Sequence, residues 1–280
     1  MVVELKAQFS LRNLLKATGL PKSVYYYHCE SMQRPCPDES LKAQIQAIYH
    51  AHKGRYGYRR IALTLRLSGL LVNHKRVQRL MCELGLKSKV RPKRYRSYKG
   101  EIGRIAPDLV QRKFTADRPN QKWVTDVTEF KVGEQKVYLS PVIDLFNQEV
   151  VSYEVSKSVR LPLVTEMLKK AIKKLRHDER PIVHSDQGWQ YQNKRYQKHL
   201  REKGLQQSMS RKGNCLDNAV AENFFGILKT EMYHNEVFKT ADELIENIKE
   251  YIDYYNNKRI KQKLKGLSPI EYRNQALIAA

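Results

Sequence analysis

Four side chains in the second half of the chain could do chemistry together: Asp126, Asp186, Glu222 and Lys229. Asp126 lies in WVTDVTEF, a stretch of Val, Thr and Trp that reads as one strand over residues 123 to 130, where an unpaired charge is expensive. Asp186 ends PIVHSD, a short apolar strand, and Gln187-Gly188 follow, so the backbone can turn away and leave the carboxylate at a strand end. Glu222 sits in NCLDNAVAENFFGILKTEM, residues 214 to 232, which reads as a long helix. There Phe224, Phe225, Leu228 and Met232 recur at core-facing spacing, while Asn218, Glu222 and Lys229 run down a second stripe. Such a stripe is by itself only the solvated side of an amphipathic helix. Three converging acids, however, raise one another's pKa unless cations stand between them. Two Mg2+ ions suit, because each takes one or two carboxylates plus water and phosphate oxygens. Paired ions about 4 Å apart assist in-line displacement at phosphorus, so the chemistry would be cutting and joining of phosphodiester bonds. With 29 acidic residues in the chain, spacing alone leaves many other triples open.

The remaining acids near these positions have structural readings. Glu129 is expected on the opposite strand face from Asp126, Asp144 before a turn, and Asp217 as a helix cap. Trp123 and Trp189 read as core or cleft wall rather than as platforms for bases.

The elements that must position these groups follow from periodicity. After the first strand, residues 137 to 146 and 150 to 158 read as two more, separated by Asn147-Gln148 in a tight turn. A helix over 161 to 175, the strand 181 to 186, a helix over 193 to 203 and a strand at LQQSMS complete a pattern of a mixed sheet with helices packed on it. Residues 240 to 257 form a last amphipathic helix, and the basic tail ends in a short capped turn at SPIEY, packing on the domain and touching phosphate.

Upstream the chain is helical. Ser10 and Gly19 bound an early helix, KSVYYYH offers either a small core or stacking surfaces, and residues 29 to 40 read as a linker. A helix starts at Asp38 or Ser40, glycines interrupt GRYGY, a second helix covers 59 to 67, and Asn73 caps a third over 74 to 84 that stops at Gly85. That third helix buries Val77, Leu80, Met81 and Leu84 and shows Lys75, Arg76 and Arg79 on its other face, the arrangement of a helix-turn-helix that enters a major groove. KSKVRPKRYRSYK, residues 87 to 99, has seven basic residues and no acid, and Lys93, Arg94 and Arg96 lie in it. It reads as a basic arm that tracks a phosphate backbone.

Composition agrees. Lys and Arg number 52 against 29 acids, a net charge of +23, which draws a polyanion such as double-stranded DNA. Four cysteines are scattered without a CxxC pair, so free thiols are expected, and Cys29, Cys36, His50 and His52 lack the paired spacing of a zinc site. With no run of about 18 apolar residues and no secretory pattern at the amino terminus, a soluble cytoplasmic protein is expected.

WVTDVTEF, HSDQG and DNAVAENFFGILK, with 35 residues between Asp186 and Glu222 and a lysine seven after the glutamate, closely resemble the DDE catalytic core of insertion-sequence transposases related to retroviral integrases. GRYGYRRI and YYNNKRIKQKLKGLSPIEYR match the same group, so the resemblance covers nearly the whole chain. It looks like the second-frame product of a bacterial copy-out, paste-in element. The resemblance implies an α/β ribonuclease H-like core, Asp126, Asp186 and Glu222 as catalytic ligands of two Mg2+ ions (Mn2+ substituting), and Lys229 on DNA near the cleavage point. SRKGN, with Arg211 and Lys212, would be a loop that orders on DNA.

The expected divisions are a small helical segment (1–36), a helix-turn-helix (38–86), a basic arm (87–106), the integrase core (107–235) and a helical extension (236–280). Expected partners are element ends, target DNA, further copies of the chain on DNA, and an upstream-frame DNA-binding protein. Two rival readings stay open: a helix-turn-helix regulator with a non-catalytic sheet domain, and a ribonuclease H acting on RNA-DNA hybrids.

Overall fold

The computed structural model describes residues 2–33, 38–89, 106–110, 114–210, 218–234 and 236–278. The chain begins with α1 (Val2–Leu5), α2 (Leu11–Thr18) and α3 (Lys22–Gln33). Ser10 caps α2 by accepting from the Asn13 N–H, and Gly19 ends it in the left-handed conformation that only glycine adopts without strain. α3 runs on through residues 29 to 33, where composition points to a linker. No helix breaker occurs there before Pro35, so the helix continues.

α4 (Glu39–Ala51), α5 (Tyr58–Leu67) and α6 (His74–Glu83) form the helix-turn-helix region around Ile45, Tyr56, Ile61, Leu65, Val77 and Leu80. Asn73 caps α6 through its side chain, which accepts from the Lys75 N–H at 2.9 Å. Asp38 precedes α4 but makes no capping hydrogen bond; its carboxylate faces α6 instead. Among the described residues Cys29 and Cys82 are free thiols.

The second half is a sheet of β1 (Lys122–Thr125), β2 (Thr128–Val132), β3 (Gln135–Asp144), β4 (Val150–Ser156), β5 (Ile182–Ser185) and β6 (Gln206–Met209). Residues 123 to 130 are therefore two strands, not the single one expected. Both pair with β3 in the same antiparallel register, and continuing Thr125↔Val142 toward Thr128↔Leu139 sets Asp126 opposite Pro141, which has no N–H for the ladder. The break falls at Asp126, which stands at a strand end rather than in mid-strand. β4 closes one edge against β3, and β5 and β6 continue the other side in parallel with β1. Three antiparallel positions followed by two parallel ones, with helices on both faces, make this a ribonuclease H-like mixed sheet.

One sheet face is covered by α7 (Leu161–Ile172), α8 (Trp189–Gln192) and α9 (Lys194–Glu202), with Trp123, Met167, Leu168, Tyr191 and Tyr196 in the seam. The other carries α10 (Ala219–Leu228), a π-helical turn over Lys229–Tyr233, and α11 (Ala241–Asn257). Phe224, Phe225, Leu228 and Met232 do enter this core, packing beside Val124, Phe130 and Ile143. Each such large apolar side chain contributes roughly 1.5–3 kcal/mol on burial. The tail ends not in a short turn but in α12 (Pro269–Ile278), started by Ser268, whose N–H and hydroxyl form a reciprocal capping pair with Glu271.

Candidate active site

Parallel pairing puts the two aspartates side by side. Lys122↔Ile182, Trp123↔Val183 and Val124↔His184 fix the β1–β5 register, and continued past the strand ends it sets Asp126 beside Asp186. Both carboxylates leave adjacent strands at their C-terminal ends, where open α/β sheets place their reactive groups. Each is aimed by its own turn. Asp126 Oδ1 accepts from the Val127 N–H at 2.7 Å, and Asp186 Oδ1 accepts from the Gly188 N–H at 2.9 Å. A Cβ at Gly188 would lie 2.9 Å from that same oxygen, so a side chain there would collide with the carboxylate.

α10 crosses this strand end and brings Glu222 in its first turn. Burial and the facing Asp186 hold the Asp126 carboxyl well above its ordinary range; Glu222 adds to the rise, while the Val127 N–H and the Lys229 ammonium oppose it. Burial also raises Asp186, against the Gly188 N–H and His184. The three acids thus share one electrostatic environment. Among the described residues, no three His, Cys, Asp or Glu side chains stand as a ready metal cluster, so the trio is gathered without being closed on a common point.

The donor set nevertheless fits a hard cation. It is all oxygen, three carboxylates opposed among the described residues by the Lys229 ammonium and His184. One turn before Glu222, the Asn218 side chain is buried with Oδ1 and Nδ2 both without a hydrogen-bond partner, an expensive arrangement that an incoming ligand can relieve.

Two residues here escaped the sequence reading. Asn218 shows in the sequence only as part of a polar stripe. Tyr191, in the helix after HSDQG, is fully buried with its hydroxyl 3.4 Å from Thr125 Oγ1. Burial and the charges of Asp126 and Asp186 push its pKa well above the usual phenol range, so it underlies the pair as a neutral floor. Its only sequence signal was the WQY that follows HSDQG. Trp123 is core as expected, whereas Trp189 is 55% exposed; in a four-residue helix the ring has no sheet to cover it.

Lys229 opens the π-turn, its ammonium 5.0 Å from the centre of the Phe130 ring. In that turn, closed by the i+5 hydrogen bond from the His234 N–H to the Lys229 carbonyl, Thr230, Glu231 and Met232 are all buried. Glu129 pairs with Lys136 at 3.1 Å. Asp144 is wholly buried, accepting from the Asn120 and Phe146 N–H groups, and burial lifts it to about 6.

The expected DNA-binding residues divide. Lys75 is exposed on α6. Arg76 and Arg79, also exposed, both pair with Asp38, and Arg79 pairs with Glu83 as well, so their charges are partly neutralised within the protein. Lys93, Arg94, Arg96, Arg211, Lys212 and Asp217 lie outside the described residues. Among the described residues no helix is long and apolar enough to cross a membrane.

A sheet of this order, with paired aspartates at adjacent parallel strand ends and a glutamate from a crossing helix, defines the class of integrase-like cores. Family models agree: an integrase core domain matches residues 116–215, a second integrase core model 222–277, and a helix-turn-helix-like domain 37–94. The chain is 55% identical over 272 residues to the putative transposase InsK for insertion sequence element IS150 of Escherichia coli K12, covering 97% of this chain and 96% of that one. It is 39% identical to the transposase for insertion sequence element IS904 of Lactococcus lactis, over 84% of this chain and 93% of that one. Among solved structures, the catalytic core of HTLV-2 integrase in complex with magnesium aligns at a TM-score of 0.45 and 18% identity, over 56% of this chain and 98% of that one. The chain belongs to the insertion-sequence transposases with an integrase-like core, the family of DNA transposition.

Proposed function

We propose that the protein cuts a DNA strand at the ends of a mobile element and joins the freed 3'-hydroxyl to another phosphodiester, with Asp126, Asp186 and Glu222 holding two Mg2+ ions. The observation that carries this reading is the β1–β5 register, which pairs Asp126 with Asp186 at one strand edge under Glu222. When bound, the ions would polarise phosphate oxygens and activate the attacking oxygen. The protein's own part is positioning. The Val127 and Gly188 N–H groups fix the two aspartates, Tyr191 seals the floor, and Lys229 supplies a cation for the DNA phosphate beside them.

Two displacements at phosphorus follow. Water attacks the phosphodiester at the element end and the 3'-oxygen leaves, taking a proton. That hydroxyl then attacks a target phosphodiester, forming a new P–O bond as the target's 3'-oxygen departs. No covalent protein intermediate is needed. The helix-turn-helix over residues 38–86, with Lys75, Arg76 and Arg79, would hold duplex DNA while the core over 107–235 reacts.

Asp126→Asn tests this. Strand transfer in Mg2+ should fall by more than about a hundredfold, since even groups that only support metal ligands are worth about 10- to 100-fold, while duplex binding persists. Full strand transfer by that variant would overturn the reading.

A further inference from the structure

A second charge imbalance lies at the far end of the same helix. A cleft of about 570 Å3 opens between the helix-turn-helix and the core; Arg59, Arg60, Arg259, Lys261 and Lys263 are among its lining residues, and no acid is among the described ones. Its size falls within the roughly 300–1,000 Å3 of ligand pockets.

Its inner wall is buried. Arg259, 2% exposed, donates to both oxygens of Glu231 at 2.6 and 2.9 Å, and Arg60 stands 3.5 Å from the same carboxylate. Lys261, 8% exposed, finds only neutral acceptors, Gln148 Oε1 at 2.8 Å and the Tyr255 hydroxyl, and forms no ion pair among the described residues. Three buried or half-buried cations therefore face one carboxylate. A buried ammonium without a counter-charge is costly unless an anion arrives. Burial and the nearby guanidinium groups of Arg259 and Arg60 push the Lys261 pKa well below the usual lysine range, which marks the same deficit.

The wall joins the two halves of the molecule. Tyr56, between α4 and α5, donates its hydroxyl to the Lys258 carbonyl and accepts from the Ile260 N–H, and its ring stacks on His52 at 3.7 Å. Arg55 donates to the Glu231 carbonyl and lies over the rings of Tyr251 and Tyr254. Ile227 of α10 lines the cleft as well. An anion seated here would touch the helix-turn-helix, the tail and the helix that carries Glu222.

We propose that this cleft binds a phosphodiester of the DNA strand running from the helix-turn-helix to the active site. The proposal rests on the reading of the protein as a DNA-cutting enzyme and gives that DNA a path. DNA is favoured over a free anion because Arg59 and Lys263 extend the cationic lining to the exposed surface, where a continuous polyanion can follow it.

The test measures duplex binding by fluorescence anisotropy across salt concentrations, with the full chain in Ca2+ to prevent cutting. Arg59→Ala with Lys263→Ala changes two exposed side chains and spares the buried wall. The slope of log K against log salt should flatten by about 1.8, about 0.9 for each lost phosphate contact. Lys169→Ala with Lys198→Ala, removing the same charge from α7 and α9 on the far sheet face, should flatten it by less than half as much. Equal slopes for the two double variants would overturn the proposal. In a second arm, millimolar inorganic phosphate is added to wild type and to Arg59→Ala/Lys263→Ala. No difference in thermal shift supports a DNA source; a shift confined to wild type, with DNA slopes unchanged, makes the ligand a free anion and overturns it. Full strand transfer by Asp126→Asn would sink the catalytic reading and leave these binding slopes untouched, so the two failures are distinguishable.

Discussion

The carboxylates at the two ends of one helix sit in opposite electrical circumstances. At the start of α10, Glu222 joins Asp126 and Asp186 in a pocket whose acids outnumber its cations, and Asp126 is driven upward in pKa. Nine residues on, in the π-turn, Glu231 is buried where Glu222 is only half-buried, yet the Arg259 and Arg60 charges and the Tyr251 hydroxyl outweigh its burial and hold it below the ordinary range. Burial penalises Asp126 and Glu231 alike; the sign of the neighbours decides the outcome. A satisfied ion pair is architecture, whereas an excess of either sign is an invitation to a ligand. On the reading proposed above, the acids at one end would take a metal and the cationic cleft beside Glu231 a phosphate, with one helix between them.

The harshest way to break this comparison is Glu231→Gln. Removing the lone carboxylate from Arg259 leaves buried cations uncompensated and should cost about 3–5 kcal/mol, read as a lower urea midpoint at neutral pH. Because the folded-state pKa of Glu231 is depressed, its contribution is present above the unfolded carboxylate range and is lost as pH falls through the folded value. An unchanged midpoint in Glu231→Gln would remove the contrast.

Asp144 gives a middle-sized test in the opposite sense. Its folded pKa is raised to about 6, so its stabilising influence is present below the unfolded value near 3.9 and is lost as pH rises through about 6, a difference of roughly 2–3 kcal/mol between pH 4 and pH 8. Stability of wild type should decline through that window from this group, and Asp144→Asn should show a flatter pH profile. Asp126 shares the sign. In protein stripped with EDTA, Asp126→Asn should raise the melting temperature, since the ionised aspartate is what the folded state disfavours. A lower melting temperature would mean that the acids are already compensated.

The smallest expected effect is at Asp38. Asp38→Asn removes the carboxylate that Arg76 and Arg79 share and leaves Arg79 paired with Glu83. Duplex affinity should rise by a few fold and its salt slope steepen by up to about 1.8 if both side chains then reach phosphate. An identical slope would place α6 away from the DNA backbone.

Much was settled by the amino-acid sequence alone. The heptapeptide-scale patterns around Asp126, Asp186 and Glu222, the apolar stripe of Phe224, Phe225, Leu228 and Met232, and the caps at Ser10 and Asn73 are local, and periodicity and capping act over a few residues. What it could not settle depends on partners far along the chain. The break at Asp126 needs Pro141 on the facing strand. The engagement of Arg76 and Arg79 needs Asp38, the interior place of Arg259 needs Glu231, and the isolation of Lys261 needs the fold that buries it. In sequence these are four more basic residues among 52; only tertiary packing, which removes water and fixes who stands beside whom, decides which charges are spent and which still await a ligand.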